Sequence, residues 1–245
     1  MKRTAVALAA ALFGATFCLA QAPACNDAKH ATPEELNARI PQLEALHEAI
    51  MPLWHKAWPE KDTAAMKAAL PDLKKSVQAL NEVALPGILR DRKEAWTAGL
   101  AKLNASLADY EKAAAGQENQ PLLDALEQTH AAFEGLVNAV WPKTKELDAY
   151  HQVLYQIVHY YASAKDAAKV REASQQLAER CAALTAAPVP KWAKDKEAAL
   201  KEGFQALCKD TEAFKEAARG DDFAAAERAL DKAHDQYQAV EKLFE

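Results

Sequence analysis

Regularly spaced histidines are the residues of this sequence best suited to chemistry. His47 and His55 lie in the stretch LEALHEAIMPLWHKAW (residues 43–58), and His151 and His159 lie in LDAYHQVLYQIVH (residues 147–159). The two pairs share one internal spacing, and 104 residues separate them, as 151 minus 47 and 159 minus 55 both show. Neutral imidazole is a very common ligand for transition metals. The pattern therefore points first to metal binding.

Two further histidines, His130 and His234, are related by the same offset of 104 residues. Four of the histidines follow an acidic residue by three positions; the acids are Glu44 before His47, Glu127 before His130, Asp148 before His151 and Asp231 before His234. This spacing puts acid and imidazole on one helix face, as in the di-metal carboxylate bundles. Those bundles take further glutamates from their other two helices. Predicted helices two and three offer none on their inward faces, so we expect a smaller, mononuclear site.

The predicted helices bring these histidines together in pairs. His47 continues an apolar, inward stripe and lies 11 residues before the predicted helix end at Trp58, while His130 lies 9 residues after a predicted start at Pro121. At ~1.5 Å rise per residue the two imidazoles sit within about one turn of the same level on neighbouring helices. His151 and His234 repeat the arrangement. We expect one site per pair, with the acids as ligands or as groups that orient the imidazoles.

Met51 and His55 extend the ladder from His47, whereas Tyr155 replaces Met51 in the second stretch. A thioether favours copper(I), and histidine with carboxylate favours zinc, copper(II), nickel or iron. Positions eight apart on an α-helix differ by ~80° in direction and ~12 Å in height, so His47 and His55 are not expected to share an ion. His55 and His159 are either outer ligands or exposed residues at the mouth of the site. The competing interpretation makes all these histidines structural residues, hydrogen-bonded to nearby acids.

The composition predicts an all-α protein. Half of the 245 residues are hydrophobic, only 7 are glycine, and no stretch alternates with a period of two. Apolar periodicity, capping residues and breakers predict helices at 33–58 (or starting near Pro41), 62–84, 89–115, 121–140, 143–164, 166–187, 191–219 and 221–244. Breakers and caps recur at the 104-residue offset. We therefore predict two tandem up-down-up-down antiparallel four-helix bundles from an internal duplication, at 33–141 and 142–245, joined at Pro142.

The N-terminus has the pattern of a secretory signal peptide at 1–20, with Lys2 and Arg3 before a short apolar run and small residues. A polar, disordered linker is expected at 21–32. A membrane anchor, or a lipoprotein acylated at Cys18 or Cys25, are the alternatives. Cleavage predicts a periplasmic or secreted protein without a membrane span. Without Lys2 and Arg3 the charge is (30 − 2) − 35 = −7, which argues against a nucleic-acid partner.

Cys25, Cys181 and Cys208 remain after the predicted cleavage. An odd number in an oxidising compartment suggests one disulfide and one leftover thiol. Cys181 and Cys208 lie on consecutive predicted helices, but counting rise along straight helices separates them by roughly 15 Å. A disulfide and two separate thiols therefore both stay open.

Each predicted unit resembles periplasmic four-helix bundles of the cytochrome b and cytochrome c-prime type. That resemblance implies haem with axial ligands from the first and last helices. No Cys-x-x-Cys-His is present, which excludes covalent haem and leaves haem b held by His47 and His130. The units are also similar to small helical domains of bacterial metal-efflux components, which implies an efflux or sensor partner.

No nucleophile elbow, phosphate loop or His-Glu-x-x-His is present, so an enzyme is not expected. The leading hypothesis is a periplasmic metal buffer, carrier or sensor. The alternatives are a haem-binding electron-transfer bundle and a structural or partner-binding helical module.

Overall fold

The computed structural model describes residues 30–141 and 143–244, which are helical with short connections and contain no strand. The all-α prediction is confirmed. The predicted signal peptide at 1–20, residues 21–29 of the predicted linker and Pro142 lie outside the described residues.

The first half of the chain forms four α-helices. Helix α1 spans Pro41–Pro52 and continues through a π-helical segment, Leu53–Ala57, into a last turn at Trp58–Glu60; α2 spans Thr63–Asn81, a 3₁₀ segment spans Gly87–Arg92, α3 spans Lys93–Ala115 and α4 spans Asn119–Val140. Of the two predicted starts of α1, the one at Pro41 is correct. Proline suits the first turn of a helix because its missing N–H has no partner there.

The second half repeats these elements. Helix α5 spans Lys145–Gln156 and continues into a second π segment, Ile157–Ala162; α6 spans Ala167–Ala186, a second 3₁₀ segment spans Lys191–Lys196, α7 spans Glu197–Arg219 and α8 spans Phe223–Lys242. The starts of α5, α6, α7 and α8 follow those of α1, α2, α3 and α4 by 104 residues each. Lys61 and Lys165 take the left-handed conformation, with φ of 55° and 54°. After each of them an aspartate, Asp62 or Asp166, caps the next helix.

Two hydrophobic cores hold the helices together. In the first half α1 packs on α2, α2 on α3, α3 on α4, and α4 returns to α1; in the second half α5, α6, α7 and α8 pack in sequence. One core draws on Ile40 to Val140 and the other on Leu147 to Phe244. Tyr155 belongs by sequence to the second half, yet it packs into the first core and is 2% exposed. This tyrosine therefore ties the two halves together.

Cys181 on α6 and Cys208 on α7 form a disulfide, with Cα atoms 5.4 Å apart. The separation of roughly 15 Å expected from straight helices was wrong. Cys181 lies five residues before the end of α6, while Cys208 lies eleven residues after the start of α7. Residues 187–196 let α7 begin beyond the end of α6 by about six residues of rise, ~9 Å, which brings the cysteines level.

Candidate histidine sites

Three histidines of the first half, His47, His55 and His130, form what we call the first histidine cluster. The His130 ring stacks on Trp54 of the π segment, with centroids 4.1 Å apart, and the His47 ring stacks on Phe133 of α4 at 5.5 Å. Burial lowers the pKa of His130; Glu134 opposes the shift, and His55 and His47 add to it. His47 on α1 and His55 in its π segment therefore lie within electrostatic range of His130 on α4.

The π segment explains why His55 joins this cluster. In a regular α-helix His55 would point ~80° away from His47. The hydrogen bonds of a π segment span one residue more, so each residue in it turns the chain by less than in an α-helix. Leu53–Ala57 therefore rotates His55 back toward the face of His47. The expectation that His47 and His55 do not share an ion assumed an unbroken α-helix, and it stays a prediction.

The predicted inward orientation of His47 was wrong, because His47 is exposed. The buried stripe of α1 runs through Leu43, Leu46 and Ile50. Met51 is 47% exposed, and His55 is exposed as well. The first cluster is therefore a surface site with one partly buried member, His130.

The acids three residues before the histidines have other surroundings in the first half. Glu44 accepts a hydrogen bond from Nε of Arg39 at 2.6 Å. Glu127 is exposed. The carboxylate nearest His130 is Glu134, whose Oε1 lies 3.8 Å from Nε2. The acid that accompanies His130 thus lies one turn after it.

The second histidine cluster consists of His151, His159 and His234, each 104 residues after a member of the first. His151 is 8% exposed and stacks on Tyr237 of α8, with ring centroids 4.6 Å apart. His159 in the second π segment packs against Tyr155 at 4.6 Å. Burial lowers the pKa of His151 to about 3 and that of His159 to about 4. Both imidazoles are therefore neutral at pH 7, the form that binds metals.

Asp91 closes the second cluster from the other half of the chain. Its Oδ2 lies 3.1 Å from Nε2 of His234. This hydrogen bond is the main reason why the pKa of Asp91 is lowered, and His159 and His151 add to the effect. The same bond raises the pKa of His234. The pair is therefore an ion pair over a window of mildly acidic to neutral pH.

The predicted acid partners of the second cluster, Asp148 and Asp231, are not in its hydrogen bonds. Asp148 accepts from the side-chain amide of Gln152 at 2.9 Å, and Asp231 is exposed. Sequence reasoning missed Asp91. The available signal was its charge pattern, since Arg90-Asp91-Arg92 recurs as Lys194-Asp195-Lys196 at the 104-residue offset.

Residues on either side of Asp91 anchor the first 3₁₀ segment to the second half. Arg92 forms an ion pair with Glu241, which also accepts a 2.5 Å hydrogen bond from the Tyr237 hydroxyl. Burial raises the pKa of Glu241, while Arg92 acts against that rise. The segment thus carries a partly buried ion pair beside His151 and Tyr237.

Glu35 and Arg90 bind Tyr155 from the first half. The Tyr155 hydroxyl donates to Oε1 of Glu35 at 2.7 Å, and Arg90 donates to the same hydroxyl. Burial acts to raise the pKa of Glu35, but hydrogen bonds from Tyr160 and Tyr155 outweigh it and hold that pKa below its ordinary value. Together with Asp91, these contacts cover the second cluster.

The two clusters differ in how well they could receive an ion. Among residues 30–141 and 143–244, no three His, Cys, Asp or Glu side chains converge closely enough to hold a metal as they stand. His47 and His55 are exposed, and His47 stacks on Phe133. His151 is packed between tyrosines and His234 is bonded to Asp91. The residue types of both clusters suit a transition metal, and the first cluster is the more exposed of the two.

Comparison with known proteins found no matching family model, no similar curated protein and no similar solved structure. In the part of the chain that the structure describes, no helix combines the length and apolar character needed to cross a bilayer.

Proposed function

We propose that the chain binds a transition-metal ion at the first histidine cluster. The observation that carries the proposal is the proximity of His47 and His55, on α1 and its π segment, to His130 on α4. Two of these imidazoles are exposed, and the third is partly buried. Zinc, copper(II), nickel and iron suit imidazole with carboxylate, and Met51 on the same face adds a ligand suited to copper(I).

We propose that the second histidine cluster is a related metal site, which an ion reaches less easily. His151, His159 and His234 supply the same imidazole ligands, but Nε2 of His234 is already hydrogen-bonded to Asp91. An ion must therefore displace this carboxylate or share it. Asp148 and Asp231, the ligands first expected beside these histidines, would have to move to take part; the same holds for Glu44 and Glu127 in the first half.

We infer that the two sites arose with an internal duplication of a four-helix unit. Three independent features support this history: the common offset of the helix starts, the π segments at equivalent positions, and the left-handed Lys61 and Lys165. Left-handed lysines are uncommon, so their recurrence at one offset is informative. Two bundles, 33–141 and 142–245, are the corresponding domains.

A periplasmic buffer, carrier or sensor for the metal is the role that fits these features, without a catalytic function. An exposed site of imidazoles exchanges its ion with solvent or with a partner, and an efflux or sensor component is the partner class we propose. The predicted signal peptide supports the compartment.

Isothermal titration calorimetry with zinc, nickel, copper(II) and, under reducing conditions, copper(I) tests the proposal. We expect the His47→Ala/His130→Ala double variant to lose the tighter binding event. His30→Ala is the matched control, because His30 bonds Tyr161 in the second half, away from this cluster. Absence of binding for every ion, or binding unchanged in the double variant, overturns the proposal. Circular dichroism verifies that the variants are folded.

The two alternatives have distinct readouts. A haem b protein would show a Soret band after reconstitution with haemin, and that band would be lost in the same double variant. A purely structural module would show no rise of melting temperature with any metal. The stacking of His130 on Trp54 favours an ion over haem, because the indole covers one face of the imidazole.

A further inference from the structure

We propose that a second copy of the chain docks its second 3₁₀ segment, Lys191–Lys196, onto the first histidine cluster. The contact would reproduce between chains what the first 3₁₀ segment, Gly87–Arg92, does within the chain at the second cluster. The inference rests on the repeated elements and their unequal burial, and it does not require that a metal is bound.

We call the surface around His47 and Met51 the receiving face. It is exposed in the first half, whereas the equivalent surface around His151 and Tyr155 is covered in the second half. Tyr155, in the second half, is 2% exposed beneath Glu35 and Arg90. Its counterpart 104 residues earlier, Met51, is 47% exposed. His151 is likewise buried, whereas its counterpart His47 is exposed. The first half thus presents, uncovered, the face that the second half has covered.

The burial of the two 3₁₀ segments differs in the opposite sense. We call the second of them, Lys191–Lys196, the inserting segment. Ile88 of the first 3₁₀ segment is 2% exposed and lines a cavity together with His151 and Tyr237 of the second half. Its counterpart Trp192 is 61% exposed. Large exposed apolar side chains rimmed by charges are typical of interaction surfaces. Trp192 contacts Phe244 of the second half, with ring centroids 5.6 Å apart, but among the described residues it is far less covered than Ile88.

The charges of the two surfaces match. Asp195 is exposed and lies between Lys194 and Lys196, as Asp91 lies between Arg90 and Arg92. At the first cluster Asp195 would meet His130, the counterpart of His234. Lys196 would face Val137, one turn from Glu134, which is 61% exposed beside His130. The docked copy would also add a carboxylate to three histidines, so the metal site is more complete with it than without it.

The contact between chains lacks several polar components of the contact within the chain, including the hydrogen bond from Tyr155 to Glu35, because Met51 replaces Tyr155. Arg92 pairs with Glu241, but the counterparts of these residues are Lys196 and Val137. The association should therefore be weaker than the intramolecular docking and dependent on concentration. Because the two surfaces differ, the interface is heterologous, and successive copies form a ring or an open chain.

Sedimentation velocity of the purified protein in chelator, up to about 1 mM, tests the proposal without metal. Met51→Glu/His55→Glu blocks the receiving face, and Trp192→Glu/Asp195→Lys blocks the inserting segment. Each variant alone should be monomeric, with the dissociation constant raised at least tenfold. Mixing them should restore a heterodimer, because each retains the surface that the other has lost. Trp141→Glu, at a tryptophan that is 57% exposed, is the control for general stickiness.

A monomeric wild-type protein over the whole range overturns the proposal. It is also overturned if the mixed variants stay monomeric, or if Trp141→Glu weakens association as much as the blocking variants do. Since chelator is present throughout, failure of docking is distinct from failure of metal binding, which calorimetry measures separately.

Discussion

Nε2 of His234 lies 3.1 Å from Oδ2 of Asp91, across 143 positions of sequence. His234 belongs to the last helix of the second half and Asp91 to the 3₁₀ segment of the first. The exposed fraction of the side chain is 19% for His234 and 29% for Asp91. This contact makes the closure of the second histidine cluster depend on the docking of the two halves.

Asp91→Asn should lower the free energy of unfolding by about 1–2 kcal/mol near pH 5.5, since a charge-assisted hydrogen bond is lost. The folded pKa of Asp91 is below its ordinary 3.8, so its contribution exists above that value and is lost as pH falls through the folded pKa. The folded pKa of His234 is above 6.5, so its contribution exists below that value and is lost as pH rises through the folded pKa.

Urea unfolding at pH 5.5 and at pH 9 measures this difference. The effect of Asp91→Asn should be larger at pH 5.5, where both partners are charged. Asp195→Asn is the matched control, because Asp195 is the exposed counterpart of Asp91 and should change stability little in the dilute monomer. Equal effects of Asp91→Asn at both values of pH would contradict the assignment.

His159→Gln should make the protein less sensitive to acid. The folded pKa of His159 is about 4, against an ordinary value of 6.5. A histidine with a depressed pKa contributes stability above pH 6.5, and this is lost progressively as pH falls toward 4. The wild type should lose on the order of 2–3 kcal/mol over that interval through this residue, and the variant should not. Unfolding titrations in chelator at pH 7.5 and 4.5 provide the measurement; parallel losses would refute the prediction.

Reduction of the Cys181–Cys208 disulfide should destabilise the protein. The bond closes a loop with a sequence separation of 27 residues. Loop-closure entropy for that length corresponds to about 3–4 kcal/mol. Thermal melting with and without reductant should show the loss in the wild type. In Cys181→Ala/Cys208→Ala, melting should be low and independent of reductant; a reductant-dependent shift there would assign the effect to another thiol.

Copper(II) bound at the first histidine cluster should quench tryptophan fluorescence. Trp54 stacks on His130 at 4.1 Å between centroids, which places its indole next to the proposed ligand. Trp54→Phe should lose most of the quenching while retaining binding by calorimetry. Trp96→Phe is the control, because Trp96 is buried in the core of the first half. Quenching that persists when Trp58, whose ring centroid is 5.0 Å from that of Trp54, is also replaced by Phe would place the ion elsewhere.

The helices were predictable because their signals are local. Asp62, Asp166 and Pro41 each fix a helix start through one cap or one missing N–H, and the structure has helices starting beside all three. The disulfide was not predictable by counting rise, because the relative height of α6 and α7 depends on the path of residues 187–196. That path is set by tertiary packing.

The sequence predicted pairs of histidines, His47 with His130 and His151 with His234, and set His55 and His159 apart as outer ligands or exposed residues. The common offset identified His130 and His234 as partners of His47 and His151. The acidic partners were predicted incorrectly because spacing on one helix does not show which other side chains bind the same groups. Arg39 binds Glu44, and Asp91, from another element, binds His234. The direction in which the His55 side chain leaves the helix depends on the π segment, and apolar periodicity does not reveal such a segment.

The paired π segments also bear on the order of events in the history of the chain. A π turn arises when one residue is inserted into an α-helix without disturbing the helix on either side. The segments at Leu53–Ala57 and Ile157–Ala162 begin at equivalent positions. If both halves descend from one ancestor, that ancestor already contained the insertion and the histidine within it. The single-unit protein would then have had its three histidines on one face before any second unit was present to cover them.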